Sequence, residues 1–324
     1  MQKNNIKRKS PVSGFLDKIF YNKYKKKREG AIRFYDMSSP LVKIACAAIF
    51  LICAAMIIVA VFPAAWAILA GFKDLKEFVT GKKILPVSFS FAGYAKTWES
   101  MKFARYYLNS AIAVAGGVVC AVLFNGLLAY VLGILRPVGH KVVFALVMWT
   151  LLIPPTTSVV AQFVNIHKVV EFFNKLAGLD SMNSFFNVMP LWLIMGANAF
   201  WLVLFKEFFE SLPKDYTEAA QLDGCTDLGV FTKIMLPLSM PIVVVVSIFA
   251  VTAAWSDFLL PNLLLSNSEW RTVMVRLFEF RTAIKVTEID KLHAVVFSII
   301  PPTIMFILFQ RQITRGVTVG GIKG

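Results

Sequence analysis

Ser211-Leu-Pro-Lys-Asp-Tyr-Thr-Glu-Ala-Ala-Gln-Leu-Asp-Gly-Cys-Thr-Asp-Leu-Gly-Val-Phe-Thr-Lys-Ile-Met-Leu-Pro237 is a long polar interruption in an otherwise apolar chain. Pro213 suits the first turn of a helix after the polar Ser211, because its missing N–H has no intrahelical partner there anyway. That helix is expected to run to about Leu222. Gly224 suits a left-handed stop at its C-terminus, where any Cβ is penalised. Thr226 or Asp227 caps a second short helix, which should end before Pro237. The segment therefore reads as a compact helix, glycine bend, helix. Ala219 and Ala220 are small enough to let another surface approach closely, and Glu218 offers a carboxylate to a cation.

The flanks decide the fold class. Of 324 residues, 57% are hydrophobic and 16% charged, against about 25% charged in ordinary soluble domains. One globular core cannot hide so much apolar surface, so a soluble enzyme and a disordered chain are both excluded. A membrane-crossing helix needs roughly 20 apolar residues. Six stretches are expected to cross, at 44–72, 109–135, 142–164, 188–205, 239–264 and 293–309. The result is an all-α, polytopic membrane protein whose polar loop 211–237 lies between spans four and five. The first stretch follows a tail too long for a cleaved signal peptide. Pro63, Pro154-Pro155 and Pro301-Pro302 fall within spans, where each removes backbone hydrogen bonds and invites a kink.

The net charge is +15. In a soluble protein this would suggest nucleic acid; in a membrane protein it reports topology. Twelve Lys and Arg lie between Lys3 and Lys43, so the N-terminus is assigned to the cytoplasm, and six spans return the C-terminus there. Loops 136–141 and 206–238 then lie inside, with 73–108, 165–187 and 265–292 outside. In the tail, Phe15, Leu16, Ile19 and Phe20 recur at helical spacing before a basic run. That pattern fits an interfacial helix on anionic lipid and equally a basic tail that only sets topology. The chain thus divides into a tail (1–43), a six-span domain (44–311, with loop 211–237) and a C-terminal tail (312–324).

Catalytic and metal chemistry find no foothold. Cys46, Cys53, Cys120 and Cys225 have no metal-like or disulfide-framework spacing. His140, His167 and His293 are placed apart, in loops or at span edges, without HExxH or paired carboxylates. Asp257 is the sole carboxylate expected within a span, beside Trp255, and an intramembrane charge is a functional candidate by default. One carboxylate is not the relay of an ion-driven carrier, so a secondary carrier is the weaker reading. No GxxxxGK[ST] phosphate loop occurs, so this chain is not expected to hydrolyse ATP.

Glu218-Ala219-Ala220, then three residues, Gly224, nine residues, Ile234, one residue and Leu236-Pro237 match a long gapped signature at every specified position. The segment resembles the EAA loop of the inner-membrane permeases of binding-protein-dependent ABC importers. Asn109-Ser110, Leu128-Ala129-Tyr130, Ile153-Pro154-Pro155, Trp255-Ser256-Asp257-Phe258-Leu259, Pro301-Pro302, Gln310-Arg311 and the tail Gly316–Gly324 resemble the six-span, maltose-transporter-type carbohydrate branch over about 44–324. Many relatives carry Asn where this chain has Ser256.

The resemblance implies a type I importer permease of the bacterial cytoplasmic membrane, with both termini cytoplasmic. Its partners would be a second permease, two copies of an ABC ATPase, an extracytoplasmic solute-binding protein and lipid, with no nucleic acid. It implies no cofactor in this chain, with ATP and Mg held by the ATPases. Glu218, Ala219, Ala220, Gly224, Ile234, Leu236 and Pro237 would form the coupling helix seated on an ATPase, with Glu218 paired to a basic residue. Loop 265–292 would reach towards the binding protein, and tail 312–324 towards the ATPases. The resemblance also favours a structural role for Asp257. The cargo is expected to be a sugar or oligosaccharide, with an amino acid or polyamine as the alternative. Asn125, Gln162, Asn198, Trp201, Trp255, Asp257 and Asn262 are substrate-path candidates, each of which also suits helix packing.

Overall fold

The computed structural model describes residues 40–81, 83–178, 185–265, 268–283 and 286–319. The basic tail with its expected interfacial helix, and the last five residues, lie outside the described residues. Among the described residues every regular element is helical. The chain divides into two compact units, Met1–Pro63 and Ala64–Gly324. In the first, residues 44–62 carry almost only apolar side chains and leave them exposed, Phe50 by 71% and Val59 by 73%. Water would penalise such a surface, whereas hydrocarbon would not.

The helices follow in order: α1 Pro40–Ala70, α2 Leu75–Thr80, α3 Ala92–Met101, α4 Phe103–Tyr130, α5 His140–Thr150, α6 Pro155–Ala177, α7 Met189–Met195, α8 Ala199–Ser211, α9 Asp215–Leu222, α10 Asp227–Val230, α11 Leu236–Leu238, α12 Met240–Ser256, α13 Leu259–Leu265, α14 Val273–Thr282 and α15 Glu288–Val319. Two π turns interrupt the α pattern, Val131–Leu135 after α4 and Phe231–Met235 between α10 and α11.

Helix α4 is the central post, with α7, α8 and α12 against it. Its buried face is a row of small residues at four-residue spacing, Ala113, Gly117, Ala121, Asn125 and Ala129. Small side chains let helix backbones come close where apolar burial alone gives no drive, as in a bilayer. Gly116 is required outright, because a Cβ there would lie 2.1 Å from the Trp192 ring of α7. The largest core cluster lies at the far end of α4, around Tyr130, Phe205, Phe209, Phe231 and Met235.

Among the described residues, three helices are long and apolar enough to cross a bilayer, Val42–Ala70, Phe103–Leu135 and Glu288–Gln310. Two bent pairs bring the total to five: Met189–Met195 with Ala199–Ser211, bent by 47°, and Asp227–Leu238 with Met240–Ser256, bent by 82°. The third expected span, 142–164, is not one helix. It breaks at Leu151–Pro154 into α5 and α6. Pro155 begins a new helix there instead of kinking an old one, and α6 runs on to Ala177 through the polar His167, Lys168, Glu171 and Lys175. Helices α1 and α15, by contrast, run continuously through Pro63 and through Pro301-Pro302.

Other expected boundaries also move. Span two starts at Phe103, so Asn109 and Ser110 lie inside it. Span five ends at Ser256, with α13 as a separate helix. Helix α15 begins at Glu288, which places Asp290 and His293 within its length; His293 is 1% exposed and is not an edge residue.

The end of the molecule where α4 begins is stitched by buried hydrogen bonds to backbone. Asn109 donates to the carbonyls of Glu269 (2.8 Å) and Arg271 (3.0 Å). The Ser110 hydroxyl accepts from the Val273 N–H at 2.8 Å. His293 Nε2 lies 2.6 Å from the Gly71 carbonyl; a carbonyl only accepts, so that nitrogen carries the proton. Its Nδ1 lies 2.9 Å from the Thr97 hydroxyl, and Tyr94 lies against the ring with centroids 4.1 Å apart.

Candidate functional site: the 211–237 loop and the groove beside α6

Helix α9 begins at Asp215, two residues later than Pro213 suggests, because the 214 carbonyl accepts the first bonds, from the N–H groups of Thr217 (2.9 Å) and Glu218 (3.1 Å). It ends as expected. Gly224 has φ +78°, the Cys225 N–H reaches the Ala220 carbonyl and the Gly224 N–H reaches the Gln221 carbonyl, both at 3.0 Å. These are the two bonds of a Schellman stop, which needs a left-handed residue at the glycine position. Thr226 is the cap of α10, its hydroxyl accepting from the Gly229 N–H at 3.2 Å.

The second arm does not stop before Pro237. The π turn at Phe231–Met235 has a wider i→i+5 repeat, and the chain continues helically through Pro237 to Leu238. The 82° turn falls instead at Ser239, which is fully buried and donates from its hydroxyl to the Met235 carbonyl at 2.6 Å.

Helix α9 is two-faced. Thr217 and Ala220 point inward, while Asp215, Glu218, Ala219 and Gln221 are exposed. Ala220 joins the core with Val230, Phe231 and Met235; Ile234 and Leu236 are half-buried against it, and Gly224 and Pro237 stay exposed. Tyr216, Leu222 and Leu228 are exposed by 49%, 89% and 61%. The outer surface of the loop therefore mixes carboxylates with unpaired apolar side chains, a composition suited to burial against a partner. A cavity of about 340 Å³ opens beside it, with Arg136, Glu210, Lys214 and Glu218 in its wall.

The substrate-path candidates scatter. Asn125 is 1% exposed and donates to the carbonyls of Ala121 (2.8 Å) and Met195 (2.9 Å). Its own carbonyl oxygen accepts from the Asn198 N–H at 2.9 Å. Asn198 caps α8 by accepting from the Trp201 N–H at 3.1 Å. These two asparagines hold the broken ends of α7 and α8, and Trp201 is buried in the core. Trp255 donates from its indole to the Ser298 carbonyl at 3.0 Å. Asp257 accepts from the backbone N–H groups of Leu259 and Leu260 and so opens α13, a structural task. Asn262 is half-buried in α13.

Gln162 is different. With Asn165 it lines a groove of about 360 Å³ between α6 and α7. Asn165 falls outside the expected third span; the signal for it was the i,i+3 spacing from Gln162, which places both on one helix face.

In the segment 265–292, Arg271 and Arg276 both bond Glu279, at 2.9 and 3.1 Å. Burial alone would lower the Arg271 pKa, but the hydrogen bonds and charge of Glu279 outweigh it and hold the guanidinium above its ordinary value.

A helical permease architecture with a two-faced loop between bent spans defines a class, and comparison with known proteins gives its family. Residues 113–319 match the binding-protein-dependent transport system inner membrane component, and the chain belongs to that family. It is therefore a permease-type, multi-pass membrane component. The diacetylchitobiose uptake system permease protein NgcG of Streptomyces coelicolor is 27% identical over 82% of this chain and 85% of its own length. The arabinooligosaccharides transport system permease protein AraQ of Halalkalibacterium halodurans is 28% identical, over 82% and 92%. The galactooligosaccharides transport system permease protein GanQ of Bacillus subtilis is 28% identical, over 85% and 94%. A chain in the crystal structure of a bacterial ABC transporter involved in the import of the acidic polysaccharide alginate has the same fold, with TM-score 0.69 and 24% identity over 86% of this chain and 99% of that one.

Proposed function

We propose that this chain is one of two membrane-spanning subunits of an ATP-driven importer for a sugar or oligosaccharide. The observation that carries the coupling role is the two-faced helix α9, anchored by Thr217 and Ala220, presenting Glu218 and Ala219, and stopped at Gly224. It would seat on one of two ATPase subunits, which hold ATP and Mg. Ile234, Leu236 and Pro237 would support it from the second arm. Closure of the ATPases would push this helix and turn the permease pair from inward- to outward-open, a rigid-body switch of the alternating-access kind.

The loop is assigned to the cytoplasm together with both termini, on the strength of the basic tail. An extracytoplasmic binding protein would deliver the solute to the opposite face, near 265–292. The glycan cargoes named for the relatives support a sugar over an amino acid or polyamine. Gln162 and Asn165 are the strongest solute contacts offered by this chain, because they pair amide donors and acceptors with an open groove.

Purification from the native host tests the assembly: an isolated complex without an ATPase subunit would overturn it. Within an assembled complex, Glu218→Arg should abolish binding-protein-stimulated ATP hydrolysis while both permeases still co-purify. Retained stimulation would remove Glu218 from the coupling role.

A further inference from the structure

We infer that Arg136, Lys206 and Glu210 form an electrostatic clamp that locks the end of α8, from which the coupling loop is carried, to the end of α4, so that the three move as one body; this rests on the importer reading above. Both oxygens of the Glu210 carboxylate are taken. Arg136 Nη2 donates to one at 2.9 Å and Lys206 Nζ to the other at 2.9 Å. Arg136 is itself aimed by a bond from its Nε to the Gly133 carbonyl at 2.7 Å, and it sits at φ +49°, a left-handed backbone that side-chain-bearing residues seldom adopt. The Lys206 ammonium also lies 4.6 Å from the centre of the Phe144 ring of α5. Gly133 permits the approach, since a Cβ there would lie 3.2 Å from Lys206 Cγ.

The position of the cluster gives it a task. Glu210 is the penultimate residue of α8, and only Leu212–Lys214 separate that helix from α9. Any push on α9 therefore reaches α8 beside Glu210. Without a cross-brace, the push would be spent in sliding the end of α8 past that of α4. The brace hands it to α4, the helix against which α7, α8 and α12 all pack. A second tie runs parallel to it: Tyr130, Phe209 and Phe231 meet edge to face or tilted at 5.5 to 6.5 Å, joining α4, α8 and the second arm. The aromatic tie is apolar and fixed. The clamp is charged, with the Lys206 and Glu210 side chains only 14% and 26% exposed, so its charge-assisted bonds are partly shielded from water and salt.

The test uses the complete complex with its native partners in lipid nanodiscs. Spin labels replace Val138 and Leu222, both exposed and lying on either side of the clamp, in a background lacking the four cysteines. Mg-ATP with vanadate is the probe. The expected result is one narrow distance between the labels, unchanged by nucleotide. Glu210→Gln, which keeps the shape and removes the charge, should broaden that distance or make it nucleotide-dependent. It should also lower binding-protein-stimulated ATP hydrolysis at least about fivefold, the low end of ordinary coupling between sites. Arg136→Gln should do the same from the other side, and the double variant should be no worse than the more affected single one, as for residues acting as a unit. If Glu210→Gln fails to assemble, Arg136→Gln, with its half-exposed side chain, carries the test alone. A narrow, unchanged distance with undiminished stimulation in the variants would overturn the clamp, as would a wild-type distance that shifts with nucleotide. A wild-type complex that shows no binding-protein-stimulated hydrolysis at all would instead overturn the importer reading beneath it.

Discussion

The two ends of α4 are held by opposite chemistry. Where the helix begins, Asn109, Ser110, Trp255 and His293 each bond a backbone group, and the bonds of Ser110, Trp255 and His293 are buried. These partners are neutral, and leaving a buried one unmet costs its full desolvation. Where the helix ends, a carboxylate shared by two cations sits at the rim of an open cavity beside exposed acids. Those bonds are charge-assisted and tie the ends of α4 and α8 together at the place where a push on the loop arrives. The first end is built to stay and the second to be pushed.

The comparison breaks most visibly at His293. Its replacement by Leu leaves the Gly71 carbonyl without its buried partner and the Thr97 hydroxyl with Asp290 alone, and should destabilise the protein by about 1–3 kcal/mol. A fall in the thermal midpoint of the detergent-solubilised complex measures this, and an unchanged midpoint would refute the fixed-end view. At the pushed end, Gly224→Val forces a β-branched residue to φ +78°, a strain of about 1–2 kcal/mol. Its larger consequence should be functional, as lost stimulation of ATP hydrolysis in a complex that still assembles. Thr226→Ala removes one helix cap, at about 1 kcal/mol, and should quicken amide exchange across 227–230 without altering the opposite end. The smallest effect is expected from Glu269→Ala. Its ion pair with Arg105 has side chains 50% and 62% exposed, so the loss should stay within about 1 kcal/mol. A larger loss would mean that the fixed end depends on charge after all.

Much of this was legible in the residues, unevenly so. Gly224 and Thr226 could be read because each does a local job that few residue types can do. Five of the six apolar stretches correspond to single or bent spanning helices among the described residues, since their length is set by the bilayer. The break at Leu151–Pro154 was half visible: a proline pair marks a disturbance, but whether a helix bends or restarts depends on neighbours that the local sequence does not name. The same limit explains Pro237, whose ring is accommodated by a π turn that local propensity does not announce. Asn125 and Asn198 suit a solute path and helix packing alike. An amide has two donors and two acceptors, and only the arrangement of α4, α7 and α8 reveals that they hold the break together. Within the clamp, Lys206 and Glu210 stand at the i,i+4 spacing of a helix pair, but Arg136 lies 70 or more positions away from both, and no spacing rule connects it to Glu210.

The two π turns carry a further consequence. Each holds one residue more than an α turn needs, so deleting a single residue from 131–135 would let the turn relax to α and leave the flanking segments in nearly the same phase. An added residue has no such slack. Everything beyond it would rotate by about 100°, the angle between successive residues in an α-helix. Arg136 would swing off Glu210, although no residue of the clamp had been altered. Around these turns the chain is counted as well as spelled, and a one-residue insertion should be tolerated far less well than a one-residue deletion at the same place.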